Sequence, residues 1–122
     1  MKLIAFLFLF LFAVAASAVS LTVPDWKIYA EPVKKPIANI ETPMKIIVTD
    51  QSGKPVTGAA VELVVTMIDM NHGEHKSPTT MVAPGVYEGR INFFMIGAWN
   101  LEVRVKKSNQ SLAKRIRFDV KE

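Results

Sequence analysis

Met67-Ile-Asp-Met70-Asn-His72-Gly-Glu-His75 places two thioethers and two imidazoles within nine consecutive residues, in the pattern M-x-x-M-x-H-x-x-H. Both histidines of the 122-residue chain lie here, and Met81 follows closely. Thioether sulfur and imidazole are donors that suit copper, above all Cu(I), which prefers soft ligands. Gly73 lets the backbone fold back, so His72 and His75 can reach one ion. Met70 falls past the regular part of the preceding strand, on the parity opposite to Met67, where exposure is expected. The predicted metal set is therefore Met70, His72 and His75. Met67 continues an apolar strand face and reads as core filler before ligand. Met95, in Phe-Phe-Met-Ile-Gly, reads first as apolar packing, and Met81 is open to either role.

Two other readings compete for the same loop. The plain one is a pair of solvated histidines in a polar turn. The other takes Asp69, His72, Glu74 and His75 as a harder N/O set for Zn²⁺ or Cu(II). The chain has no cysteine, which excludes a disulfide scaffold, a thiol nucleophile, thiolate zinc and a blue-copper cysteine ligand. No G-x-S-x-G or H-E-x-x-H occurs, and Glu74 followed directly by His75 does not give the zincin helix geometry. The expectation is a binding module and no enzyme.

The elements that must position this loop read as strands. No stretch after Ser20 keeps a helical apolar period, whereas alternation with period two recurs. Met44, Ile46 and Val48 share one face of a run, and Val61, Leu63, Val65 and Met67 share the next. Trp99, Leu101, Val103 and Val105 alternate with Asn100, Glu102, Arg104 and Lys106. Leu112, Ile116, Phe118 and Val120 follow, with Lys114 breaking the pattern where its stem can snorkel. Trp26–Glu31 reads as an N-terminal edge strand, and Pro84-Gly85 opens a strand over 86–94. A four-residue loop, Ser108–Ser111, is expected to join the last two strands, pairing Lys107 with Leu112. That register sets Glu102 opposite Arg117 and Arg104 opposite Arg115. The fold expected is all-β: an immunoglobulin-like β-sandwich of six or seven strands, with Trp99, Tyr87, Phe93 and Phe118 as aromatic core.

Two segments carry a family resemblance. Asp50-Gln-Ser-Gly53-Lys-Pro55-Val56-Thr-Gly58-Ala59-Ala-Val61 has the D-x-x-G-x-P-V-x-G-A-x-V form of many exported β-sandwich modules. Pro84-Gly85-Val-Tyr87 runs on to Phe93-Phe94-Met95-Ile-Gly97-Ala-Trp99-Asn-Leu101-Glu-Val103 behind the Met/His loop. Together they resemble the YtkA-like domain and the related periplasmic region of FixH, over residues 40–106. The resemblance implies copper handling or maturation of haem–copper oxidases.

The N-terminus reads as an address. Lys2 is followed by the apolar run Leu3–Ala16, with four of the seven phenylalanines, and by Ala16-Ser17-Ala18 as a cleavage site. Residues 1–18 are thus expected to form a signal helix, 19–41 an N-terminal strand and Pro-containing segment, and 42–122 the sandwich. Export to the periplasm or beyond follows. An uncleaved apolar stretch through Val23 would instead serve as a single-span anchor. The formal charge is +4, falling to +3 once Lys2 is removed, with basic residues clustered near the C-terminus. Intervening acids, export and the lack of interleaved aromatics argue against nucleic acid. Asn109-Gln-Ser is formally a glycosylation sequon, to which a bacterial setting gives no meaning. The function expected is copper holding or transfer to a copper-accepting or membrane protein. The alternative is a metal-free accessory module that docks on an envelope protein by a sheet edge or by Trp26–Tyr29.

Overall fold

The computed structural model describes residues 23–122; the predicted signal segment lies outside the described residues. Seven antiparallel strands follow in chain order: β1 (Lys27–Pro32), β2 (Glu41–Thr49), β3 (Ala60–Met67), β4 (His75–Ala83), β5 (Val86–Asn92), β6 (Gly97–Lys107) and β7 (Gln110–Val120). Their spatial order is β1-β2-β5-β4-β3-β6-β7. Among the described residues no helix is long and apolar enough to cross a membrane.

Alternation explains the layers. Met44, Ile46 and Val48 from β2 and Leu101, Val103 and Val105 from β6 are inaccessible or nearly so, while their neighbours along each strand are partly exposed. Each such side chain contributes about 1.5–3 kcal/mol of burial. β3 departs from strict alternation, because Val64 is buried along with Val61, Leu63 and Val65. Trp99, Tyr87 and Phe93 fill the centre, and Phe93 meets Trp99 edge to face at 5.5 Å. Phe118 is only partly buried against them.

β4 joins the two layers. Its first half pairs with β3, from Val65↔His75 to Glu62↔Pro78. Its second half pairs with β5, from Thr79↔Gly89 to Ala83↔Val86, with an irregularity between Met81 and Ala83. The crossing needs Gly89, since a Cβ there would stand 2.8 Å from the Pro78 carbonyl oxygen. Thr79 Oγ1 donates to the Val61 carbonyl at 2.7 Å, holding β4 to β3 at the switch. The sequence pattern does not announce β4: it carries a proline and exposes most of its residues. His75, expected in a loop, is its first residue.

The last hairpin is tighter than the sequence reading expects. Lys107 pairs with Gln110, leaving a two-residue loop in which Ser108 takes φ 53, as the first central residue of a primed turn requires. Glu102 consequently faces Arg115 and Arg104 faces Ala113. The expected Arg104–Arg115 repulsion is absent from the register. The slip is two residues, so every side chain keeps its face.

Candidate functional site

The Met/His loop, residues 68–74, leaves β3 at one end of the sandwich and returns into β4. Its start is pinned by the Ile68 N–H, which donates to the Ala98 carbonyl at 3.0 Å. Asn71 Oδ1 accepts from the Gly73 N–H at 3.3 Å, and Gly73 takes φ +74, the left-handed turn that reverses the chain. Arg104 from β6 then fastens the returning arm. It reaches Glu74 at 3.3 Å, Glu102 at 2.8 Å and Glu62 at 3.8 Å.

This arrangement brings both imidazoles onto one aromatic ring. His72 lies edge-on to Phe94 at a centroid separation of 5.7 Å, and His75 lies edge-on to it at 4.9 Å. Phe94 rests in turn on Trp99, at 5.0 Å and nearly perpendicular. Trp99 Nε1 donates to the Met95 carbonyl at 3.0 Å, which fixes the β5–β6 turn that carries Phe94. His75 Nε2 is 3.1 Å from the His72 carbonyl oxygen. When Nε2 carries the proton and donates there, Nδ1 holds the free lone pair. Both rings are exposed, so an ion reaching them keeps access to solvent and to incoming ligands.

The methionines separate. Met70, on the same loop, is 51% exposed. Met67 packs partly buried against the core, and a Cβ on Gly97 would lie 3.3 Å from its terminal methyl. Met95 also packs against the core, in the turn beside Phe94. Met81 sits on the half of β4 that pairs with β5, opposite Tyr87. Six residues of extended chain, about 20 Å, separate it from His75. The N/O quartet does not assemble: Glu74 is drawn to Arg104, and among the described residues no three His, Asp or Glu side chains converge as a metal cage.

Two residues beside the loop carry no direct signal in the sequence pattern. Phe94 is the platform under both imidazoles. The adjacent pair Phe93-Phe94 contained the hint, because neighbouring residues of an extended segment face opposite ways and only one can enter the core. Arg104 is the clamp on the loop, a role its alternation pattern does not reveal.

The comparisons with known proteins fit the architecture. A family model described as YtkA-like matches residues 21–104. No curated protein matches the chain. Among solved structures, the Lin-41 filamin domain superposes with a TM-score of 0.60 at 17% identity, covering 82% of this chain and 98% of that one. The Escherichia coli adhesin FdeC superposes with a TM-score of 0.56 at 20% identity, covering 83% of this chain and 33% of its own length. At these identities the likeness is one of fold: a small immunoglobulin-like β-sandwich.

Proposed function

The chain belongs to the YtkA-like family, and from that premise we propose that it is an exported copper-holding module whose cargo is Cu(I). Met70, His72 and His75 supply the donors. The observation that carries this reading is the convergence of His72 and His75 on the Phe94 ring, with an exposed thioether on the same loop. The donor chemistry fits the ion: one soft sulfur and two imidazoles suit a low-coordinate Cu(I). The sandwich acts as a rigid frame and the loop end carries the function.

Transfer proceeds by ligand exchange. An open two- or three-coordinate site lets a copper-accepting protein add its own donors before this chain releases its own. The Arg104–Glu74 ion pair at 3.3 Å anchors the end of the loop next to His75. Residues 1–18 act as the export signal, which places the module outside the cytoplasm, where thioether and imidazole replace readily oxidised thiols.

A Cu(I) competition titration tests the reading, with the wild type beside the Met70→Ala/His72→Ala/His75→Ala variant. The wild type takes up one equivalent, and the variant binds at least about tenfold more weakly, roughly 1.4 kcal/mol. Equal binding by both proteins, or no stoichiometric uptake by the wild type, overturns it. A parallel Zn²⁺ titration in which zinc binds the wild type more tightly than Cu(I) does would also count against it.

A further inference from the structure

The thioethers of the described residues fall into two groups. Met44 is fully buried, and Met67 and Met95 are partly buried and packed against the core. Met70 and Met81 are open to solvent, at 51% and 44% exposure. A dissolved oxidant must reach the sulfur it attacks, so these two are its first targets. Their surroundings differ. Met81 stands in β4 opposite Tyr87, on the half of the strand that pairs with β5. Met70 belongs to the loop 68–74 that leads into His75.

An oxygen atom can be added to Met70 without disturbing the frame. The loop is held by the Ile68 N–H on the Ala98 carbonyl, by the Asn71–Gly73 turn and by the Arg104–Glu74 pair. None of these contacts uses the Met70 side chain. An open depression of about 340 Å³ runs along the loop, bordered by Ile68, Asp69, Met70 and Asn71, and leaves room for a small oxidant and for the product. On Met44 the same oxygen would be a polar atom set among apolar core side chains, which is costly.

The reaction is a two-electron oxygen transfer from hydrogen peroxide. A sulfur lone pair attacks the nearer peroxide oxygen, the S–O bond forms and the O–O bond breaks. The proton on the transferred oxygen passes to the departing hydroxide, which leaves as water. The thioether is oxidised to the sulfoxide as the peroxide is reduced. The product is polar and presents a hard oxygen, whereas Cu(I) prefers soft sulfur. A metal ion seated on the thioether ties up one lone pair and draws charge from the other, which slows the attack.

We propose that Met70 is a peroxide-sensitive modification site: conversion to the sulfoxide switches off Cu(I) holding by the loop, and bound metal shields the sulfur. The inference rests on the copper reading above and adds a regulation of the same site. Oxidation leaves His72 and His75 on the Phe94 ring and removes the soft member of the donor set. Reversal is the opposite transfer, driven by a dithiol: the oxygen leaves as water and the dithiol becomes a disulfide, the chemistry of methionine sulfoxide reductases.

The test exposes the purified full chain to hydrogen peroxide with and without one equivalent of Ag(I), a stand-in for Cu(I) that does not itself reduce peroxide. Peptide mass spectrometry locates the added oxygen. Without metal, Met70 and Met81 should react at rates within about threefold of each other, with Met44 intact. With Ag(I), Met70 should slow at least about fivefold and Met81, the control of similar exposure, should not. In the Met81→Leu variant, the peroxide-treated protein should keep its melting temperature and bind Cu(I) at least about fivefold more weakly. Methionine sulfoxide reductases of both epimer specificities with dithiothreitol should restore the affinity, and the Met70→Leu variant should lose none on peroxide treatment. Stoichiometric Ag(I) uptake that leaves Met70 unprotected, or a Cu(I) affinity indifferent to Met70 oxidation, overturns the switch and leaves the copper reading standing on its imidazoles. Absence of Ag(I) uptake overturns the copper reading itself, and the switch with it.

Discussion

Single side chains in this protein do their work through one or two well-directed contacts. The Tyr87 hydroxyl donates to the Val56 carbonyl at 2.8 Å and accepts from the Ala59 N–H at 3.2 Å, so one buried phenol organises the entry to β3. Tyr87→Phe leaves both backbone groups without that partner and should cost about 1–3 kcal/mol. Urea denaturation measures it: the midpoint should fall with an unchanged slope, and an unchanged midpoint would show the hydroxyl to be dispensable. Phe94 works in the same way at the opposite end, by serving as a common floor for His72 and His75. Of the proposed site, the sequence made the loop that carries Met70, His72 and His75 legible as a cluster of Met and His. It did not make their floor or their clamp legible. Phe94 and Arg104 act through tertiary proximity, and neither residue type advertises such a role.

At the scale of elements, the strands that bury a face were readable and the strand that buries none was not. β2, β3 and β6 carry apolar residues at period two because one side of each meets the core. β4 carries no such stripe, since it spends its length passing between layers with most of its residues in solvent. Its place is set by its neighbours, chiefly by the missing side chain at Gly89. Gly89→Ala would force a methyl to within 2.8 Å of the Pro78 carbonyl oxygen and 3.0 Å of the Leu63 side chain. A loss of about 1–3 kcal/mol is expected, with faster amide exchange in β4 before the rest of the sandwich. Uniform exchange at wild-type rates would contradict that account. The hairpin register was missed for a related reason: alternation fixes the face of a strand and not its offset, and slips of two residues preserve every face. The turn chemistry at Ser108 decided it.

For the molecule as a whole, two carboxylates link stability to pH. Asp50 is held below the ordinary carboxylate range, first by the Ser52 hydroxyl that donates to it and then by the Lys54 N–H. Glu102 is held low chiefly by the hydrogen bond from Arg104, with Arg115 adding to it and burial opposing. Both values are depressed in the folded state, so their stabilisation is fully present above about pH 4–5 and is withdrawn as the pH falls through the lower native values. The Asp50→Asn/Glu102→Gln variant should melt lower than the wild type at pH 7 and approach it by about pH 2. A difference that persists unchanged in acid would mean that their charge is not what matters.

The metal proposed for this protein sits at one end of the sandwich, on the Met/His loop between β3 and β4. The metal assignment is tested most directly by selective methyl-¹³C labelling of methionine together with imidazole ¹⁵N spectra, recorded as Ag(I), a diamagnetic stand-in for Cu(I), is added. The account predicts that the Met70 methyl and the His72 and His75 ring nitrogens shift together and saturate at one equivalent, while the Met81 methyl stays still. A stationary Met70 methyl with unmoved imidazoles, or a response centred on Met81, would contradict it.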